Sequence, residues 1–262
     1  MNGSVYVTAA VSRLLARLSL CKKDDELTRK MLSDAMPSLI TYLQKEVEEI
    51  KKVRKGGLRK TPSQTAFDIL YIVSVMKYSG FSHSLFESHS KDIDFMLSKL
   101  QEHANNLTIY GKAHAASIFA MNGKKAIAVR FLESMKEYTV YSEEAGRYYE
   151  SPKALFSWRN YRIPTQVAAI EALHIVSPDD KVIIEEMQRW LLHEKRTQQW
   201  NTPVNTADAI HAFLFTRESS ESKDSAPAVI TYHGKALTMT GEKVREAETK
   251  VIDGAKLQVS KS

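Results

Sequence analysis

Apolar positions recur at three- and four-residue spacing through most of residues 1–216, which predicts a succession of helices. Over 5–18 the stripe is Val7, Val11, Leu14, Leu15 and Leu18. A longer stretch, roughly 25–55, contains Pro37, and a proline there predicts a bend or break because it lacks a donor and crowds the preceding turn. Gly56-Gly57 supplies its C-terminal stop. Thr61-Pro62-Ser63-Gln64 has the form of a capping box, opening a helix that runs to Tyr78. Further helical patterns cover 85–104, 110–121, 124–137, 164–176, 179–196 and 204–215. Ser177-Pro178 followed by Asp179-Asp180 suits a helix start, with the acids at the positive end of the dipole.

These helices read as pairs, and one member of each pair shares a pattern. It is closest in Ile69-Leu70-Tyr71-Ile72, Ile118-Phe119-Ala120-Met121, Ile170-Glu171-Ala172-Leu173 and Ile210-His211-Ala212-Phe213, and looser around Val11 to Leu14. Small residues beside the isoleucines let helices approach closely, as the inner layer of a stacked array requires. The intervals are too irregular for a consensus solenoid. The prediction is a mainly α fold, an α/α toroid-like array of helical hairpins over 1–216.

Two segments break this period. Between Tyr138 and Tyr161 lie seven aromatic residues, and alternation over 138–141 and 147–150 predicts a small hairpin or ordered loop. Residues 217–227 form a polar, Ser-rich linker. Beyond it the period becomes two: 228–232 and 235–239 flank His233-Gly234, and 249–252 and 255–259 flank Asp253-Gly254, each a β-hairpin signal. Residues 228–262 are too short to stand alone as a sheet, so they read as part of an adjoining β-domain.

Composition is that of an ordinary globular chain and names no function. The formal charge of +6 points toward nucleic acid until its distribution is examined. Up to Thr216 there are 29 basic and 24 acidic residues, and 8 and 7 follow, so the excess is diffuse. Basic residues over 45–60 are interleaved with Glu46, Glu48 and Glu49, which is the look of a solvated helix face. No nucleic-acid-binding motif is present. No apolar run approaches the roughly 18 residues of a membrane helix, and the first residues lack a signal peptide's basic-then-apolar order.

Candidate chemistry is sparse. Cys21, the only cysteine, is followed by Lys22-Lys23 and could serve as a nucleophile with a distant histidine; no local signature supports this, and an incidental thiol is the simpler reading. The eight histidines show no metal-ligand spacing, and His174 and His211 read as hydrogen-bonded structural residues. Carboxylate pairs at Asp92/Asp94, Glu143/Glu144 and Asp179/Asp180 leave room for a carbohydrate-active α/α toroid, whose two acids need no local motif. No cofactor motif occurs. Tyr148, Tyr149, Trp158, Arg159 and Tyr161 form a candidate interaction surface; the competing reading, an aromatic loop packed over the helices, stands ahead of it.

One stretch is specific enough to suggest a family. Trp190-Leu191-Leu192, then Thr197-Gln198-Gln199-Trp200-Asn201-Thr202, then Thr206-Ala207-Asp208-Ala209-Ile210 resemble the end of the thioester-type helical domain of bacterial α2-macroglobulin-like proteins, Bacteroidetes-like members in particular. The resemblance extends less specifically over 1–216, through residues 165–173 and 3–8. It implies an α/α toroid within a large protein of stacked β-domains that traps proteases in the periplasm or cell envelope of a Gram-negative bacterium. Its partners would be the neighbouring β-domains, and proteases for the intact protein. Thioester-bearing members use a Cys-x-Glu-Gln loop; here the only cysteine gives Cys21-Lys22-Lys23-Asp24, so no thioester or catalytic residue carries over. The expectation is a non-enzymatic interaction module, with a carbohydrate-active enzyme or a helical-repeat scaffold as alternatives.

Overall fold

The computed structural model describes residues 4–22, 25–52, 61–81, 83–150, 161–197, 200, 202–217, 229–232, 235–237 and 257–260. The chain is mainly helical and divides into two compact units, Met1–Arg217 and Glu218–Ser262.

The described residues of the first unit form ten α-helices: α1 (Val5–Cys21), α2 (Glu26–Lys51), α3 (Gln64–Tyr78), α4 (Ser84–Ser88), α5 (Ser90–Glu102), α6 (Ile109–Met121), α7 (Lys125–Lys136), α8 (Arg162–Val176), α9 (Lys181–Thr197) and α10 (Pro203–Thr216). Their starts follow local chemistry. Asp25, Ser63, Thr108 and Thr202 each accept a backbone N–H from the first turn of α2, α3, α6 and α10, satisfying a donor the helix cannot.

Three details refine or depart from the sequence expectation. Helix α2 runs through Pro37 without the break that was one of the two outcomes the proline predicted. Pro37 is solvent-exposed, while its neighbours Met36, Leu39 and Ile40 are buried. The carbonyl that loses its partner therefore lies on the wet side, and burial of the opposite face holds the helix. The cap of α3 is Ser63, not Thr61. Glu46 of α2 takes both the backbone N–H and the hydroxyl of Ser63, the latter at 2.6 Å, pinning that residue at the helix start. The pattern over 85–104 is split at His89 into α4 and α5. The Gly56-Gly57 stop lies outside the described residues.

Five helices contact one another in cyclic order: α1 with α3, α3 with α6, α6 with α8, α8 with α10, and α10 with α1. They are the five that carry the shared Ile/Ala pattern. Outside them, α2 packs on α1 and α3, α7 on α6 and α8, and α9 on α8 and α10. Helices α6 and α8 are buried on nearly every side, whereas α5, α7 and α9 carry polar outward faces.

The aromatic segment does form a hairpin. Strand β1 (Val140–Ser142) pairs antiparallel with β2 (Gly146–Tyr148), and β2 lies on α9. Gly146 turns with φ +85°, and a β-carbon there would collide with the Glu186 carbonyl, so only glycine fits this approach. Gln166 of α8 donates to the carbonyls of Arg147 at 2.7 Å and Met187 at 3.1 Å, tying hairpin, α8 and α9 together.

In the second unit, β3 (Val229–Tyr232) pairs antiparallel with β4 (Lys235–Leu237) and with β5 (Leu257–Ser260), giving the order β4-β3-β5. The first tail hairpin is thus present. Of the second, 257–259 joins β3, and 249–252 lies outside the described residues.

Candidate functional site

The inner helices bring together charges that lie far apart in the chain. Arg17 of α1, 2 % exposed, donates from Nη1 to Asp208 Oδ1 of α10 at 2.6 Å, and its Nε lies 3.2 Å from Glu171 Oε2 of α8. Arg13, one turn earlier, places Nη1 3.8 Å from Asp208 Oδ2. Two guanidinium groups thus face two carboxylates in the interior, with the carboxyl of Asp68 on α3 also near Arg13. Isolated, any of them would be costly to bury.

Glu171 also accepts or shares a proton with His211, whose Nε2 lies 3.1 Å from Oε2. The other ring nitrogen, Nδ1, is 3.5 Å from Cys21 Sγ. The lone cysteine therefore stands at the head of a Cys21–His211–Glu171 chain of contacts. Burial alone would raise the Glu171 pKa, but Arg17 and His211 outweigh it and hold the carboxyl down at about 2. His211 is pushed below the usual imidazole value by burial, with Glu171 opposing. Burial, then Glu171, pushes the Cys21 thiol up. The resting state is a thiol beside a neutral imidazole.

Aromatic residues close the cluster on its α3 and α6 sides. His114, 1 % exposed, sits edge-on to Tyr71 at 4.9 Å and tilted against Tyr110 at 4.4 Å, and neither ring nitrogen makes a hydrogen bond among the described residues. Burial, reinforced by Arg17, holds it well below the ordinary histidine pKa. Tyr110 meets Tyr161 edge-on at 4.8 Å, and the Arg17 guanidinium lies 5.8 Å from the Tyr71 ring centroid.

The candidate interaction residues separate. Tyr149, just after β2, is 2 % exposed, a core residue with no face for a partner. Tyr148 is half-buried and stacks on Trp190 at 6.0 Å; Tyr161 is half-buried against Tyr110. Trp158 and Arg159 lie outside the described residues. The adjacent carboxylate pairs are not gathered into one site. Asp92 faces Lys51 at 3.6 Å, Asp180 meets Lys136 at 2.6 Å, and Glu143 and Glu144 are exposed in the hairpin turn. Among the described residues, no three His, Cys, Asp or Glu side chains gather as metal ligands, and no helix is long and apolar enough to cross a membrane.

The residues behind the family resemblance have defined structural roles. Trp190 is buried beneath the Arg162 guanidinium, 5.1 Å from its ring centroid. Trp200 donates to the Leu191 carbonyl at 3.2 Å, Thr202 caps α10, and Asp208 anchors Arg17. Comparison with known sequences gives no match to any protein-family model and none to any curated protein.

Proposed function

We propose that the chain is a non-enzymatic interaction domain, an α/α toroid belonging to a bacterial α2-macroglobulin-like, protease-trapping protein of the cell envelope. The observation that carries this is the α1–α10 seam. Internally it is held by Arg13 and Arg17 against Asp208; externally the same two helices leave Val7, Val11, Leu18, Val204, Ile210 and Leu214 exposed. Apolar exposure of this kind on a folded unit is what a docking domain needs. The contact between α10 and α1 supports a closed array over an open superhelix.

A carbohydrate-active reading loses ground because the interior carboxylates Glu171 and Asp208 are both engaged by Arg17 and so are poorly suited to acid–base work at a sugar. A thiol-dependent activity is favoured by one observation, the Cys21–His211–Glu171 alignment. The raised thiol and depressed imidazole pKa values oppose a resting thiolate.

The test uses the intact parent protein. Cleavage by a protease is expected to change its conformation and impede the protease; a parent that never engages proteases removes the trapping role. Val11→Lys with Ile210→Lys is expected to leave this domain folded and to loosen its packing in the parent, read as faster limited proteolysis. An unchanged digestion rate would remove the docking role of the seam.

A further inference from the structure

A second polar feature lies away from the seam. The end of α5, the 3-10 turn Ala104–Asn106, α6 and α7 enclose a pocket of about 280 Å³. Lys112 and Arg130 line it, with Ser134, Gln101 and Asn105 and the apolar Ala104, Ile127 and Phe131, and no carboxylate is among its lining residues.

Lys112 is unusual for its helix. It is 8 % exposed, and its Nζ donates to Ser134 Oγ at 2.8 Å and lies 4.9 Å from the centroid of the Tyr138 ring. An ammonium carries three donors and is costly to withdraw from water without a counter-charge. Among the described residues no carboxylate pairs with it, and Arg130 has no ion pair either. The nearest acids along the chain are committed elsewhere, Glu102 to Lys99 at 2.7 Å and Glu133 to Lys136 at 3.2 Å.

We infer that this pocket binds a small phosphate-bearing anion. Two cations without counter-ions suit a dianion, and guanidinium and ammonium are the usual donors to phosphate oxygens. The Ser134 hydroxyl beside Lys112 Nζ can add a neutral donor. The volume exceeds that of one phosphate, so a small phosphomonoester fits as well as the free ion. The inference is independent of protease trapping.

The experiment titrates the whole chain with inorganic phosphate, and separately with glycerol phosphate, at fixed ionic strength balanced with chloride. Binding is read by calorimetry and by Tm. A saturable heat and a saturable rise in Tm are expected with at least one probe. Tighter binding of glycerol phosphate assigns an ester; equal or tighter binding of inorganic phosphate assigns the free ion. Arg130→Gln, at an exposed position that leaves the fold intact, is expected to weaken Kd at least tenfold, and Lys112→Met to abolish binding. Absence of saturation with both probes, or an unchanged Kd in Arg130→Gln, overturns the proposal.

Discussion

Helices α6 and α8 contact each other and both bury small and apolar residues, Ala113, Ala116 and Ile118 on one and Val167, Ala168 and Ile170 on the other, all at most 1 % exposed. The α1–α10 seam inverts this arrangement. It buries Ser12, Arg13, Arg17, Asp208 and His211 and leaves valines, leucines and an isoleucine in solvent. The first interface gains its stability from area, and many registers would give nearly as much. The second gains little net energy, because desolvation offsets the ion pairs, but it tolerates one register only: Arg17 must reach Asp208 and Glu171 together. The difference assigns the register of the α1–α10 contact to electrostatics and the stability of the α6–α8 contact to packing.

The largest test removes the cation at the centre. Arg17→Met strands Asp208 and Glu171 in the interior, and a loss of about 3–5 kcal/mol is expected from urea unfolding followed by circular dichroism. Adding Glu171→Leu to the same chain, which leaves Asp208 to Arg13, should recover much of that loss, since apolar replacement of a buried ionic pair is often neutral or better. A double variant as unstable as the single one would show that the seam is limited by packing, and the contrast with α6–α8 would collapse.

Legibility followed the same division. Most helices and their pairing were readable because an apolar face at 3.6-residue period is a local signal, the split of 85–104 into α4 and α5 excepted, and the Ile/Ala pattern marked the five helices that contact one another in cyclic order. The charged centre was not. Arg17 and Asp208 are 191 residues apart, and each looks like one more polar residue on an amphipathic helix. A usable signal did exist. Arg13 and Arg17 flank Ala16 beside Ser12, and Asp208 and His211 flank Ala209 beside Ala212, so the charges share a stripe with small residues while the bulky apolar residues occupy the other face. Glu171 carries the same mark, set between Ile170 and Ala172. The Ser63 cap was missed for a related reason, because Glu46, which fixes it, lies on another helix.

Acid should distinguish the two regions next. His114 and His211 have folded pKa values below the ordinary 6.5, so the unfolded chain binds their protons first; this part of stability is complete above about pH 6.5 and declines below it. Glu171, depressed from 4.5 to about 2, contributes about 3 kcal/mol above pH 4.5, lost as pH falls toward 2. Asp68, raised by burial, runs the opposite way and partly compensates in that lower range. The urea midpoint is expected to be flat near pH 7–8 and to fall in two stages. His114→Phe should reduce the first stage and leave the second. A single fall confined below pH 4.5 would mean that the histidines are not held neutral by the fold.

The smallest expected effect sits at the mouth of the seam. Cys21 is partly exposed at the end of α1, and its only polar side-chain partner among the described residues is His211 at 3.5 Å, a long contact for a weak donor. Cys21→Ser should therefore change stability by no more than about 0.5 kcal/mol. Its reactivity is more informative than its stability. For His211 to act as a base it must become an imidazolium beside Arg17, and the carboxylate that would stabilise it is already held by that arginine. Alkylation by iodoacetamide should accordingly be slow at pH 7 and rise with a midpoint above that of an ordinary cysteine, in the direction burial imposes. Rapid alkylation with a midpoint below pH 7, abolished by His211→Gln, would reverse the assignment. The seam would then be a site where ion pairs prepare a nucleophile, and its difference from the α6–α8 interface would be catalytic in origin.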